Sequence, residues 1–130
     1  MTSRPRLAQA YLVLQALAIA TWWLWLCSSA QARERFRFAG WPEETLLVFA
    51  APDLVLLVFG SAIAARGVAR NSHWQKAAMW LVAGAASYAT VFCVTASMMT
   101  HSMWQGSAMM LLCMAGSLTI AWWHKPAPPA

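Results

Sequence analysis

The chain has 130 residues, of which 61% are hydrophobic and 10% charged, with a formal net charge of +5. An ordinary soluble domain carries roughly 25% charged residues, and a chain this short has a large surface relative to its volume. Nine basic and four acidic side chains do not cover it. The composition excludes a soluble globular domain, a disordered chain and a disulfide-stapled miniprotein, and leaves a single all-α domain, 1–130, embedded in a membrane.

The gaps between charges measure the elements. Leu7 to Ala32 carries no Asp, Glu, Lys or Arg, and predicts a first span over about 7–29; a hydrocarbon core takes about 20 helical residues per crossing. Arg4, Arg6, the apolar run and then Ala30-Gln31-Ala32 share the form of a secretory signal. The run exceeds the roughly 7–15 residues of a signal core, so the helix is expected to be retained. Trp22, Trp23 and Trp25 near its far end suit the headgroup level. The following Arg33-Glu34-Arg35-Phe36-Arg37-Phe38 alternates charged and aromatic residues and suits the headgroup plane.

Trp41-Pro42-Glu43-Glu44 opens a second span over about 44–65. Proline fits a first helical turn, where its missing N–H costs nothing, and the acids sit at the positive end of the helix dipole. Ala77 to His124 is again free of charged residues and long enough for two crossings. Its polar cluster, Thr100-His101-Ser102 extended to Gln105-Gly106, divides it into spans of about 77–98 and 105–123. Trp74, Trp80, Trp104 and Trp122-Trp123 mark their ends, and Pro126-Ala127-Pro128-Pro129-Ala130 is an ordinary tail.

Backbone groups in lipid must be satisfied internally, so these spans are helices. Four of them predict an antiparallel, up-down four-helix bundle with both termini on one side. That side holds Arg4, Arg6, Arg66, Arg70, Lys76 and Lys125, six basic residues, against Arg33, Arg35 and Arg37 on the other. Basic residues accumulate on the cytoplasmic side. The reading is an integral protein of a bacterial cytoplasmic (inner) membrane with cytoplasmic termini.

Asp53 is the one acid inside a span. It lies about 15 Å in at 1.5 Å per residue, where insertion scales charge an Asp about 2.5–3.5 kcal/mol. It should face protein and be protonated or have partners. Counting depth along each span brings Gln15, Ser87, Tyr88 and Ser117 to the same level, which predicts one buried polar site, either ordering the helices or taking a ligand, proton or ion. Pro52 adds a kink and a freed carbonyl beside it.

Met98, Met99, His101 and Met103 around the third turn are weak candidates for a Cu(I) site, because thioether and imidazole suit that ion; methionine is also ordinary filler in apolar helices. His73 and His124 sit beside Trp74 and Trp123 as interface anchors. Cys27, Cys93 and Cys113 are dispersed, which supports neither a zinc site nor a thiol oxidoreductase. Gly60 with Ala64, Ala83 with Ser87, and Ala86 with Thr90 are small pairs spaced for close helix contact, with Gly84 on a similar groove. The basic residues are too scattered for nucleic acid, and no motif names a cofactor.

The run Trp41-Pro42-Glu43-Glu44, then Phe49-Ala50-Ala51-Pro52-Asp53-Leu54, then Gly60-Ser61 and Ala64-Ala65, resembles the four-span amino-terminal region of bacterial isoprenylcysteine carboxyl methyltransferase-like membrane proteins. The methyltransferase part would follow residue 130, so the resemblance carries over no catalytic residue and implies an accessory membrane module. The leading expectation is a non-enzymatic small subunit or accessory protein, whose partners are the bilayer and other membrane subunits or further copies of itself. The alternative is a small transporter or ligand-binding membrane protein that uses the polar site around Asp53.

Overall fold

The computed structural model describes residues 3–124. Lys125 and the Pro126–Ala130 tail, counted above, lie outside the described residues. Helix α1 spans Ser3–Ser28, the short α2 Ala30–Phe36, α3 Glu43–Ala69, α4 Gln75–Thr100 and α5 Trp104–Trp123. There is no strand among the described residues. The four long helices are each long and apolar enough to cross a membrane. The sequence boundaries fall short mainly at α3 and α4. The second span continues four residues past Ala65 because Arg66 stays helical with an exposed side chain, as a long cation at a span end does when it reaches for water.

Local chemistry explains the punctuation. Ser29 caps α2, its hydroxyl accepting the Ala32 N–H at 3.2 Å. Arg33 folds back and donates to the carbonyls of Leu26 at 2.9 Å and Cys27 at 3.2 Å, which satisfies the open end of α1. It also pairs with Glu43, tying that end to the start of α3. Ala32, in the segment shaped like a cleavage site, is helical and buried with Trp23, Leu26, Phe36 and Leu46. Between α3 and α4 the chain turns at Asn71 (φ 47°), a residue that tolerates the left-handed region, while the Ser72 N–H reaches the Gly67 carbonyl at 2.9 Å. The turn into α5 is tighter. His101 and Met103 both take positive φ (50° and 58°), and Ser102 accepts the Ala39 N–H at 2.9 Å, which fastens this turn to the α2–α3 loop.

Side-chain pairs give the relative sense of the helices. Gln15 meets Ser61 while Trp23 meets Asp53, so α1 and α3 run in opposite directions. Thr90 Oγ1 donates to the Met110 carbonyl at 2.8 Å, Ser97 and Ser107 share a 2.8 Å hydrogen bond, and Gln75 meets His124, so α4 and α5 also oppose. Arg4 lies 5.3 Å from the Trp123 ring centroid, which brings the start of α1 and the end of α5 together.

Packing differs along the helices, and this difference makes the site. Near the chain ends, Ala64, Ala65, Ala83 and Ala121 form a core with Leu12, Met79 and Val82. Small residues let the backbones approach closely where no hydrophobic effect separates helix from lipid. Toward the other end the residues are large: Trp23, Leu26, Phe36 and Leu46 pack with Trp22, Phe49 and Met103. A cleft opens beside them, while α4 and α5 stay joined through Ser97 and Ser107. The outer surface is apolar, with Leu24, Leu112 and Trp122 each more than 70% exposed, as contact with lipid requires. Gly84 opens onto free space, so it belongs to that outer surface and not to a groove.

His124 is buried at the end of α5, its Nε2 3.0 Å from Gln75 Oε1, and Gln75 Nε2 donates to Asn71 Oδ1 at 3.0 Å. It is a helix-joining residue and not the interfacial anchor that its neighbour Trp123 led one to expect. Desolvation lowers its pKa. The unfolded chain therefore takes up that proton first, and stability held above the usual histidine value of about 6.5 is lost as pH falls below it. The thermal midpoint in mild detergent should drop as pH falls below about 6.5, and less so in His124→Gln. An identical drop in the variant would remove His124 as its cause.

Candidate functional site

The polar groups inside the protein form two separate sites. The first crosslinks three helices. Gln15 Nε2 donates to Ser61 Oγ at 3.1 Å, and Ser117 Oγ donates to Gln15 Oε1 at 2.9 Å. Tyr11 Oη donates to the Cys113 carbonyl at 3.0 Å and lies 3.4 Å from Ser117 Oγ. Both polar atoms of the Gln15 amide are used and all three residues bonded through it are buried. This cluster orders helices. It has little left to offer a ligand.

The second is Asp53. Its Oδ2 accepts the Trp23 Nε1–H at 3.1 Å. Its Oδ1 makes no hydrogen bond to the described residues and is not buried, because every buried side-chain oxygen among them has a partner. The ion pairs described, Arg33–Glu43 and Arg37–Glu34, both lie at the α2 end and leave Asp53 without a cation. The backbone is irregular here. Pro52 ends an α-helical stretch, and Asp53–Phe59 is π-helical before α-geometry resumes at Gly60. Proline removes one N–H from the ladder, and a π stretch absorbs such a fault, frequently at functional sites.

Asp53 lines a cleft of about 680 Å³ between α1, α3, α4 and α5, beside the large residues. Its walls are almost wholly apolar and rich in rings, among them Trp22, Phe49, Phe92 and Tyr88. Phe49 and Phe92 meet across it, their centroids 4.6 Å apart. Gln15 and Tyr11 stand at one end and Asp53 with Trp23 at the other. The volume lies inside the roughly 300–1,000 Å³ of small-molecule sites.

Of the five residues expected in one polar site, Gln15 and Ser117 are hydrogen-bonded to each other, and Gln15, Asp53 and Tyr88 line one cleft. Asp53 is apart from that pair, held by Trp23, eight positions further along α1 than Gln15. Depth counted along one helix equals depth along its neighbour only if both start level and run alike. Trp23 is five residues from the end of α1, whereas Asp53 is ten residues into α3. Ser87 donates to the Ala83 carbonyl of its own helix at 2.7 Å, and Tyr88 is 74% exposed at the cleft mouth. Three contributors escaped the sequence reading. Tyr11 has no role in the sequence reading, Ser61 enters it only within the family resemblance, and Trp23 enters it as an interfacial ring, although Trp23 is buried at 4% exposure.

The methionine-histidine turn does not assemble. Met98 and Met99 are exposed on α4, His101 is exposed, and Met103 turns inward against the Trp23 cluster. No group of three or more His, Cys, Asp or Glu able to hold a metal occurs among the described residues. Cys93 and Cys113 line the cleft as free thiols.

Four long apolar helices with lipid-suited surfaces define an integral membrane protein, here one with an internal apolar cleft. No protein-family model, curated protein or solved structure matches the chain.

Proposed function

We propose that this protein is an antiparallel four-helix membrane bundle with cytoplasmic termini that binds a membrane-soluble small molecule in the Asp53 cleft. One observation carries the reading: an apolar volume of about 680 Å³ is left open among four helices that pack closely elsewhere. A protein selected only for bundle stability fills such space, because empty volume forfeits packing contacts. The exposed leucines and methionines serve lipid as well as they would a partner subunit, so they do not favour the accessory-subunit reading. The likeness to the four-span region of isoprenylcysteine carboxyl methyltransferase-like proteins is compatible with this role, since that region too is a membrane module.

The test of binding uses labelled triphenylmethane, a neutral apolar probe, with purified protein in mild nonionic detergent. Saturable binding of about one probe per chain is expected. Ala89→Trp and, from the opposite wall, Ala18→Phe fill the cleft and should abolish it. Undiminished saturable binding to both folded variants would place the probe elsewhere. Orientation is tested separately. Reporter fusions within residues 98–104 and after Ala130 should report opposite sides of the membrane, the second cytoplasmic. Reports from the same side would end the four-span arrangement.

A further inference from the structure

The cleft is not uniformly apolar, and its one irregularity selects among ligands. Asp53 lines it, keeps one carboxylate oxygen unengaged and not buried, and has no cation among the ion pairs of the described residues. A charged group within a membrane span is costly, and characteristically faces a cavity and a counter-charge. The protein supplies the cavity. The counter-charge is left for something else to bring. Around the carboxylate the lining includes aromatic rings, whose faces attract a cation and not an anion. Phe49 lies one turn before Asp53, its carbonyl accepting the Asp53 N–H at 3.1 Å, and its ring meets Phe92; Trp22 and Tyr88 lie further along the walls. Aromatic rings attract cations within about 6 Å of their centroids, more strongly when desolvated. No Lys or Arg among the described residues lines the cleft.

Resting on the proposal that the cleft binds a small molecule, we propose that its ligand is a lipophilic organic cation, whose charge sits at Asp53 Oδ1 beside the Phe49–Phe92 rings and whose apolar body fills the space toward Gln15. A weakly hydrated charge spread over apolar groups suits the site. An inorganic cation does not, because it would need several oxygen ligands and the cleft offers one carboxylate. The Trp23 N–H, bonded to Oδ2, fixes the carboxylate at the cleft wall and leaves its other oxygen free. The π-helical stretch that begins at Asp53 leaves this residue at the cleft wall.

The experiment compares tetraphenylphosphonium with tetraphenylborate, which has nearly the same shape and the opposite charge, and with triphenylmethane, on purified protein in nonionic detergent. Wild type should bind tetraphenylphosphonium at least about tenfold more tightly than tetraphenylborate, as expected where one partner of a desolvated charge pair is lost. Asp53→Asn should erase most of that preference, so the ratio of the two ion affinities, and not the affinity for either, is the readout. Phe92→Leu should weaken tetraphenylphosphonium more than triphenylmethane. Equal affinity of wild type for the two ions, or a preference that survives Asp53→Asn, would overturn the inference while leaving the binding proposal intact. If triphenylmethane too shows no saturable binding, the binding proposal falls with it. Should Asp53→Asn not fold, the comparison of the two ions on wild type decides alone.

Discussion

Gln15→Leu should lower the unfolding free energy by about 2–3 kcal/mol, the larger part from stranded partners and not from the bonds themselves. Interhelical hydrogen bonds in membranes average only about 0.6 kcal/mol, and Gln15 makes two of them, to Ser61 and Ser117. Removing the amide leaves the buried Ser61 hydroxyl without its partner and Ser117 with only its 3.4 Å contact to Tyr11 Oη, and an orphaned buried polar group costs about 1–3 kcal/mol. Ser61→Ala and Ser117→Ala should each cost less, about 0.6–1 kcal/mol, because each strands one atom of an amide that keeps its other bond. The triple variant Gln15→Leu/Ser61→Ala/Ser117→Ala should recover part of the loss, since no polar group is then left unpaired. A titration from mild detergent into SDS measures all of these. A Gln15→Leu protein within about 0.5 kcal/mol of wild type would show that this cluster does not hold α1, α3 and α5 together.

Gly116→Ala should be destabilising by about 1–3 kcal/mol, the usual cost of overpacking. A β-carbon at Gly116 would fall within the Tyr11 ring and hydroxyl. Tyr11 would have to leave, giving up the Cys113 carbonyl and its contact with Ser117, and with them much of what joins α1 to α5. Gly84→Ala is the control. Nothing lies within 4 Å of a β-carbon there, and alanine is the better helix former by about 1 kcal/mol, so that variant should be at least as stable as wild type. Tyr11→Ala should relieve the clash, making Gly116→Ala nearly neutral in its background. If Gly116→Ala is as stable as wild type without that relief, α1 and α5 do not meet through Tyr11.

The cleft ties these two results to function. Gln15 and Tyr11 close one end of it, and the same contacts that crosslink the helices set how far apart they stand beside Asp53. Variants that loosen the Gln15 cluster should therefore weaken ligand binding as well as stability. Asp53→Asn should affect binding alone, because an asparagine oxygen can still accept the Trp23 N–H.

The helical layout was legible in the sequence for a strict physical reason. Lipid offers no hydrogen bonds, so a chain that crosses it must do so in charge-free helical runs of about 20 residues. The runs beginning at Leu7, Thr45 and Ala77, and the break at Thr100-His101-Ser102, follow from that alone. The Asp53 site was legible only as a suspicion. An acid within a span announces that it has surroundings to find, but not which residues provide them. Tertiary structure decided that Trp23 and not Gln15 holds Asp53, that Gln15 binds Ser61 and Ser117, and that Met103 turns in while Met98 turns out. Those outcomes depend on relative helix level, on a π-helical stretch after Pro52 and on two left-handed residues in one turn. None of these has a compositional signature. The sequence determined how many times the chain can cross and where the charges wait; only the packing of small residues at one end and large ones at the other decided that the crossings would leave a cavity between them.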